Sequence, residues 1–310
     1  MIALLAPGQG SQSPGMLSPW LELDGAPDRI DAWSRAAGLD LRRLGTIGSA
    51  DEIKDTAVTQ PLVVAMSLLA YQELSRRIEL PADAVVAGHS VGELAAAAIA
   101  GVLSADDAVA LAATRGAEMA AACALRPTGM SAVLGGEPEH VLARLAELGL
   151  DPANRNGASQ VVAAGPLPAL AQLAAQPPQG ARVIPLAVAG AFHTRFMAPA
   201  REALAAVARE ITVDDPSRPL LSNADGAQLD SGVQVLQRLV AQVTAPVRWD
   251  ACLATMRERG VTATVELPPA GTLTGLARRE LKGIRTLAMK TPDDLDKAAD
   301  VIGTPAGSRA

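Results

Sequence analysis

A serine flanked by two glycines, in the pentapeptide Gly88-His89-Ser90-Val91-Gly92, is the clearest chemical feature of the chain. The pattern G-x-S-x-G is typical of a strand-to-helix turn that holds a nucleophilic serine. A β-like run at 84–87 precedes it, and an alanine-rich helical run follows. Free N–H groups at a helix N-terminus favour a developing oxyanion. We therefore predict that Ser90 is a nucleophile; a small-residue packing turn is the alternative.

A serine hydroxyl needs a general base, most often a histidine, and this chain has three. His89 adjoins Ser90, and because successive side chains diverge on a sharp turn, we expect it to support the turn and to line the substrate site. His140 belongs to an amphipathic helix beside acidic residues, which is typical of a solvated surface histidine. His193 follows a β-like run through Gly190, and we predict that it is the base. Its alternative role is packing at the start of a helix.

The segment before His193 has no acidic residue between positions 184 and 192. Hydrolases with this serine motif usually carry an aspartate or glutamate between the serine and the histidine. The acid can be remote, or a backbone carbonyl can orient the imidazole instead. The residues alone leave both a triad and a Ser–His dyad open.

Arg115 is a cation on an otherwise apolar helical face, whose other members recur at helical spacing. A buried guanidinium is costly unless an anion or other acceptor meets it. Glu118, three residues along the helix, is one candidate partner. The other is a substrate carboxylate bound in a bidentate manner, which the planar guanidinium suits.

The elements that must position these residues alternate between β-like and helical runs, which predicts an α/β fold with a parallel sheet covered by helices. Strands are expected at 1–6, 84–88, 219–222, 263–267 and 284–289. Helices are expected at 27–37, 60–77, 91–102, 105–122, 193–210, 234–243, 249–259 and 272–282. We assign 1–124 and 188–302 to one large α/β-hydrolase-like catalytic domain.

Between residues 125 and 187 the rhythm changes. The predicted strands 130–134, 153–156, 160–164 and 182–188 and helices 137–148 and 167–175 follow each other in the order βαββαβ. That order is typical of ferredoxin-like domains, so 125–187 is predicted to be a small domain inserted into the large one. The small, polar residues 303–310 are predicted to form a disordered tail.

Charge, hydropathy and cysteine content exclude several functional classes. A net charge of −6 and a pI near 5.2 argue against nucleic-acid binding. The apolar stretch 94–103 is shorter than the roughly 20 residues of a membrane span. Cys123 and Cys252 provide neither a disulfide framework nor metal-ligand spacing, which favours the cytoplasm. We expect a monomer without a metal site.

Six segments, in order along nearly the whole chain, carry a resemblance to a known family. They are Pro7-Gly8-Gln9-Gly10-Ser11-Gln12, Thr59-Gln60-Pro61, Gly88-His89-Ser90-Val91-Gly92-Glu93, Thr114-Arg115-Gly116, Gly190-Ala191-Phe192-His193 and Leu273-Thr274-Gly275-Leu276. Together they resemble the malonyl-CoA:acyl carrier protein transacylases of bacterial fatty acid synthesis. The alanine-rich composition is similar to actinobacterial members.

The resemblance implies a ping-pong transfer in which Ser90 carries the malonyl group and His193 is its base. A backbone carbonyl, which we place at Gln242, is then expected to orient the imidazole, so no acid is needed. Main-chain N–H groups of the residues matching Gln9 and Val91 form the oxyanion hole.

The resemblance also implies how the acyl group is chosen. The arginine matching Arg115 binds the malonyl carboxylate, and the glutamine matching Gln60 lines the pocket. Phe192 resembles the residue that malonyl-type enzymes carry immediately before the histidine. Its bulky ring leaves little room for a 2-methyl group on the acyl chain. The segment Pro268-Pro269-Ala270-Gly271 departs from the Gly-Pro-Gly of many members, so nothing is carried over for this loop.

The implied substrates are malonyl-CoA and holo-acyl carrier protein, with no cofactor. Acyl carrier proteins are acidic, and the chain has a locally basic segment that we interpret as a docking surface; an ordinary solvated face is the alternative. Its residues are Arg278, Arg279, Lys282, Arg285 and Lys290.

Three rival functions share these residues. A thioesterase or esterase would use water as the second nucleophile, and a related malonyl transferase would serve malonate decarboxylase. A protein that binds the carrier without catalysis is the third.

Overall fold

The computed structural model describes residues 1–303, which fold as an α/β protein with two sheets, as predicted. Within that range the strands are β1 (Ile2–Ala6), β2 (Val85–Gly88), β3 (Thr128–Gly135), β4 (Asp151–Gly157), β5 (Gln160–Pro166), β6 (Ala181–Pro185), β7 (Leu220–Leu221), β8 (Gln228–Leu229), β9 (Ala263–Glu266) and β10 (Arg285–Ala288). Among these same residues, every helix is too short or too polar to cross a lipid bilayer.

The helices of the described range surround both sheets. They are α1 (Ala26–Ala37), α2 (Leu41–Ile47), α3 (Thr56–Ser75), α4 (Gly92–Ile99), α5 (Ala105–Ala124), α6 (Pro138–Glu147), α7 (Leu167–Ala175), α8 (Ala198–Ala208), α9 (Gly232–Ala241), α10 (Trp249–Glu258), α11 (Thr272–Glu280) and α12 (Leu295–Gly303). Several begin at a side-chain cap; Ser104, for example, accepts a hydrogen bond from Asp107 N at the start of α5.

The large sheet has the strand order β10-β9-β1-β2-β7-β8, and all its neighbouring pairs are parallel except β7 with β8. Side chains of β1 alternate between its two faces, as the two-residue period of a strand requires. Ile2 and Leu4 join the core that contains α3 and α5, whereas Ala3 and Leu5 join a second core against α10 and α11. This apolar burial on both faces explains why the strands are nearly continuous runs of aliphatic residues.

The small sheet is antiparallel and has the order β4-β5-β3-β6. One face, with α6 and α7, encloses its own apolar core around Val133, Leu145 and Leu173. The other face contributes Met130 and Val162 to the main core. The inserted segment is therefore packed against the large sheet's helices rather than standing apart.

A backbone contact also ties the two sheets together. Val247 N donates to the Ala153 carbonyl, and Arg155 N donates to the Val247 carbonyl, both at 2.9 Å. These bonds fix β4 against the segment that leads into α10. Both sheets are thereby held around the space between them.

Several predicted boundaries were wrong in detail. The expected strand at 182–188 ends at Pro185, and the expected helix at 193–210 begins only at Ala198. His193 has a positive φ, and Thr194 caps a short 3-10 turn before the helix, which excludes regular helix there. The pattern of the sequence did not predict α2, α12 or β8. Gly303 ends α12, and the rest of the predicted tail lies outside the described residues.

The turn between β2 and α4 requires glycine for steric reasons. A Cβ on Gly88 would lie 2.0 Å from the Gly92 carbonyl oxygen, and one on Gly92 would lie 2.3 Å from that of Ala6. Distances this short to backbone atoms cannot be relieved by a side-chain rotation. The glycines therefore allow β1, β2 and α4 to approach at the serine.

We predict that Gly92→Ala lowers the free energy of unfolding by more than about 2 kcal/mol, because its methyl group would push α4 away from β1. Gly275 lies in α11, where an added methyl group would have no heavy atom within 4 Å, so it is the matched control. Gly275→Ala should raise the same quantity by about 0.5–1 kcal/mol. Urea unfolding of both variants measures this, and equal stabilities would contradict the steric account.

Candidate active site

Ser90 occupies the turn between β2 and α4 in a strained backbone conformation. Its φ is 54°, and among the described residues only Ser90 and His193 combine a positive φ with a non-glycine side chain. The N–H of Ser90 donates to Asn223 Oδ1 at 2.8 Å, and Asn223 Nδ2 donates to the Gly88 carbonyl at 2.8 Å. These bonds brace the turn and present the hydroxyl to the cavity.

His193 lies in the loop after β6, and its ring meets Ser90. The Ser90 hydroxyl donates to His193 Nε2 at 2.8 Å, and His193 Nδ1 donates to the Gln242 carbonyl at 2.8 Å. A carbonyl oxygen can only accept, so the proton of the neutral ring sits on Nδ1. Nε2 therefore keeps a free lone pair toward the serine. The pair has the geometry of a nucleophile and general base oriented by main chain.

Burial, reinforced by the nearby Arg115 cation, lowers the pKa of His193 to about 3. Both effects disfavour the imidazolium, because a charged ring would lose solvation and face a like charge. The hydrogen bond to Gln242 acts in the opposite direction and is outweighed. The ring is consequently a neutral proton acceptor throughout the physiological pH range.

Arg115 lies on α5 and is only 2% exposed. Its guanidinium donates to Gln60 Oε1 at 2.6 Å, to Gln242 Oε1 at 2.9 Å and to the Ser90 hydroxyl at 3.3 Å. The alternative prediction, that Glu118 is the partner of Arg115, is wrong, because these hydrogen bonds go to three other side chains. Burial lowers the pKa of Arg115 to about 10, so the group stays charged near neutral pH.

Two buried residues beneath the turn were not predicted as site residues. Glu93 Oε1 accepts from Asn223 N at 2.9 Å, and its other oxygen accepts from Gln242 Nε2. Burial raises the pKa of Glu93 to about 7, against the hydrogen bonds and the Arg115 charge. Glu93 adjoins an apolar helical run in the sequence, and this position could have indicated a buried acid near Ser90. Nothing in the spacing of the chain indicated Asn223.

Of the two residues expected to supply the oxyanion hole, Val91 directly follows Ser90 in the chain and Gln9 lines the same cavity as Ser90. Gln9 follows β1, and its side chain donates to Thr56 Oγ1 at 3.2 Å. Val91 is buried at the start of α4. In the described chain, neither main-chain N–H donates a hydrogen bond to another residue. Both donors thus remain available for a negative oxygen formed beside Ser90.

A cavity of about 360 Å³ opens onto these groups. Its walls include Gln60, His89 and Phe192, so each predicted pocket residue does line it. His89 is half-buried, and its Nε2 donates to Asn156 Oδ1 at 2.8 Å. The small sheet forms one wall through Asn154, Asn156, Gln160 and Val162, and α11 forms another through Thr272, Leu273 and Leu276.

The predicted docking residues are all solvent-exposed. Arg278 and Arg279 lie on α11, the helix whose N-terminal half lines the cavity. Lys282, Arg285 and Lys290 follow in or beside β10. His140 is exposed on α6, outside the site. In the described range 1–303, no group of three or more His, Cys, Asp or Glu side chains is arranged to hold a metal ion.

Known proteins and a family model match this chain over nearly its whole length. The family model for the acyl transferase domain matches residues 4–303. A malonyl CoA-acyl carrier protein transacylase of Mycobacterium tuberculosis is 64% identical over 302 residues, which cover 97% of this chain and 100% of the relative. The protein of that name from Escherichia coli is 32% identical over 306 residues, covering 96% and 99%.

Solved structures show the same fold. The crystal structure of MCAT from Mycobacterium tuberculosis superposes with a TM-score of 0.93 at 63% identity, covering 96% of this chain and 99% of that one. A malonyl-transacylase solved in complex with a type II PKS acyl-carrier protein superposes with a TM-score of 0.90 at 30% identity, also covering 96% and 99%.

We predict that the reactivity of Ser90 toward a neutral fluorophosphonate changes less than about threefold between about pH 8 and pH 5, since His193 stays unprotonated. A base with an ordinary pKa of about 6.5 would lose about thirtyfold over the same range. The labelling rate, followed by intact mass, measures this. His140→Ala should label like the unmodified chain, whereas His193→Ala should label far more slowly. A steep fall near pH 6.5 would contradict the buried, neutral ring.

Proposed function

This chain belongs to the acyl transferase family. We propose that Ser90, with His193 as its base, carries a malonyl group from CoA to an acyl carrier protein. The chain is a malonyl-CoA:acyl carrier protein transacylase by its near full-length similarity to proteins of that name. The observation that carries the assignment of residues is the position of Arg115. Its buried guanidinium lies 3.3 Å from the same hydroxyl that His193 accepts a proton from.

Acylation begins when His193 Nε2 takes the Ser90 proton as the oxygen attacks the thioester carbonyl. The negative oxygen of the tetrahedral intermediate is held by the N–H groups of Gln9 and Val91. The intermediate collapses with cleavage of the carbon–sulfur bond, and the imidazolium returns its proton to the CoA thiolate. The malonyl group is left as an ester on Ser90.

The second half-reaction repeats these steps with a different thiol. His193 takes the proton of the carrier's phosphopantetheine thiol as its sulfur attacks the Ser90 ester. The same two N–H groups hold the oxyanion, and the proton is returned to the Ser90 oxygen. The cycle is ping-pong and restores the free serine. It requires no redox or metal chemistry, which supports the expectation that no cofactor takes part.

Arg115 is the proposed handle for the malonyl carboxylate. Its present partners, Gln60 and Gln242, are neutral amides, so an arriving carboxylate forms stronger, charge-assisted bonds in the same place. Phe192 forms part of the cavity wall, and we propose that its ring limits branching at the carbon next to the thioester. His89 is proposed to line the site while its bond to Asn156 supports the turn.

The rival functions differ in the second nucleophile. A thioesterase would pass the malonyl group to water, so Ser90 would not retain it. We expect intact-mass measurement after mixing with malonyl-CoA to reveal one malonyl group on Ser90, which persists until a holo-acyl carrier protein is added. Rapid loss without carrier would favour the hydrolase. Failure to acquire the group would favour binding without catalysis. Discharge only by a decarboxylase carrier would favour the related malonyl transferase that serves malonate decarboxylase.

The finer architecture is also a proposal. We divide the chain into a large α/β-hydrolase-like domain, 1–124 and 188–302, and a ferredoxin-like domain, 125–187. The βαββαβ order and the separate core beneath the antiparallel sheet support this division. A cytoplasmic location is supported by two cysteines that are buried and unpaired. A monomer remains the expected state.

Arg115→Ala should reduce kcat/KM for malonyl-CoA by about 10- to 150-fold, because one charge-assisted contact contributes roughly 1.5–3 kcal/mol. The rate with acetyl-CoA, which has no carboxylate, should change far less. Arg126→Ala, an exposed arginine just after α5, is the matched control and should alter neither. Equal losses with both substrates would show that Arg115 does not select the carboxylate.

We propose that the exposed basic segment at the end of α11 docks the acidic carrier. The double charge reversal Arg278→Glu with Arg279→Glu should raise KM for the carrier about three- to tenfold and leave KM for malonyl-CoA unchanged. Reversal of two exposed arginines, Arg201→Glu on α8 with Arg209→Glu just after it, controls for net charge. Steady-state kinetics with varied carrier measure this, and similar values for both double variants would remove the proposed surface.

A further inference from the structure

Glu93 is a buried acid to which the transfer mechanism gives no step. It is 4% exposed and lies one turn after Ser90, on the inner side of α4. Its two oxygens serve different partners. One accepts from Asn223 N, and the other accepts from Gln242 Nε2. A buried carboxylate is costly unless hydrogen bonds offset its lost solvation, and both oxygens of Glu93 are hydrogen-bonded.

The side-chain amide of Gln242 has a donor end and an acceptor end, and the two ends face different groups. Nε2 faces only acceptors, namely the Glu93 carboxylate, the Ser90 carbonyl at 3.2 Å and Asn223 Oδ1 at 3.1 Å. Oε1 accepts from Arg115 at 2.9 Å. A reversed amide would set oxygen against three acceptors and NH₂ against a guanidinium. The charged acceptor Glu93 is the strongest of the groups that impose the observed orientation.

Glu93 also contributes to the charge balance of the site. Arg115 is a buried cation, and the attraction of Glu93 raises its pKa against the effect of burial. The other titratable groups near Glu93 are neutral: His193 and His89 have lowered pKa values, and burial raises the pKa of Cys252. Above its pKa of about 7, Glu93 is thus the negative charge that balances Arg115 in this part of the site.

The two charges are separated by one amide rather than paired directly. A direct carboxylate–guanidinium pair would occupy the N–H groups that a substrate carboxylate needs. The intervening Gln242 amide leaves Arg115 charged, oriented and bound only by neutral acceptors. A malonyl carboxylate can displace those acceptors at little cost.

We propose that Glu93 is a positioning residue which, through the side-chain amide of Gln242, holds Arg115 as an unpaired cation in the acyl pocket. Glu93 thereby sets the preference for acyl groups that bear a carboxylate. The inference rests on the proposed role of Arg115 as the malonyl handle. It assigns Glu93 an effect on acyl selection that is separate from any effect on the nucleophile.

The test is Glu93→Gln, assayed at about pH 8, above the pKa of about 7 of the native carboxyl group. The new amide oxygen can still accept from Asn223 N, so the support of the serine turn is kept. Its NH₂ would face the NH₂ of Gln242, whose amide must then turn and present a donor to Arg115. We expect kcat/KM for malonyl-CoA to fall about tenfold or more, mainly through KM. Acetyl-CoA turnover and fluorophosphonate labelling should stay within about threefold.

A buried glutamate elsewhere provides the matched control. Glu73 on α3 is 3% exposed and forms ion pairs with Arg29 and Arg76 away from the cavity. Glu73→Gln should lower stability but leave the malonyl-to-acetyl ratio of kcat/KM unchanged. If Glu93→Gln does not fold, Gln242→Met tests the same bridge, because it removes the amide and keeps the carbonyl that orients His193. The malonyl-to-acetyl ratio of kcat/KM is expected to fall in this variant too, and this ratio is compared rather than the absolute rates.

A double-mutant cycle separates positioning from general destabilisation. In the Arg115→Ala background, Glu93→Gln should have little further effect on malonyl transfer, since the residue acts through Arg115. Additive losses, or equal losses with malonyl and acetyl substrates, would overturn the inference. If the unmodified chain forms malonyl-Ser90 but Glu93→Gln keeps its malonyl preference, the inference alone fails. Absence of malonyl-Ser90 in the unmodified chain would overturn the proposed function as well.

Discussion

The hydrogen bond from His193 Nδ1 to the main-chain carbonyl of Gln242 determines what the rest of the site can do. A carbonyl oxygen has no proton to give, so it selects one tautomer of the neutral ring and leaves Nε2 ready to accept from Ser90. A carboxylate in the same place would also orient the ring, but it would add a second buried negative charge near Glu93. Main-chain orientation therefore suits a site that already contains a buried acid, and it agrees with the absence of an acidic residue between positions 184 and 192.

Burial governs the electrostatics of the site as much as any single contact does. The same loss of solvation lowers the pKa of His193 and of Arg115 and raises that of Glu93. These shifts keep the base neutral and leave one cation and one acid separated by an amide. A substrate carboxylate entering such a site meets a guanidinium with incomplete charge pairing. The carboxylate selectivity that we propose for Arg115 and the proposed activation of Ser90 by His193 therefore depend on one buried network.

The fold brings these groups together because parallel strands end at one edge of the large sheet. β1 leads to Gln9, β2 to Ser90 and β7 to Asn223, so three loops meet at the same end. The antiparallel sheet closes the opposite side of the cavity, and its link to Val247 holds it there. Strain at Ser90 is tolerated because its N–H donates to Asn223 Oδ1 and its carbonyl accepts from Gln242 Nε2.

Local patterns in the sequence determined the α/β class, most helix and strand positions, the nucleophile turn and the choice of His193 among three histidines. They did so because periodicity, glycine spacing and scarcity of histidine are properties of neighbouring residues or of simple counts. The resemblance to a family added Gln9, Val91, Gln60, Phe192 and the Gln242 carbonyl. Only the tertiary structure decided which groups meet Arg115, the burial that shifts each pKa, and the bridge through Glu93, Asn223 and the Gln242 side chain. Those residues are far apart along the chain, and hydrogen-bond partners and desolvation are set by packing, which no local pattern encodes.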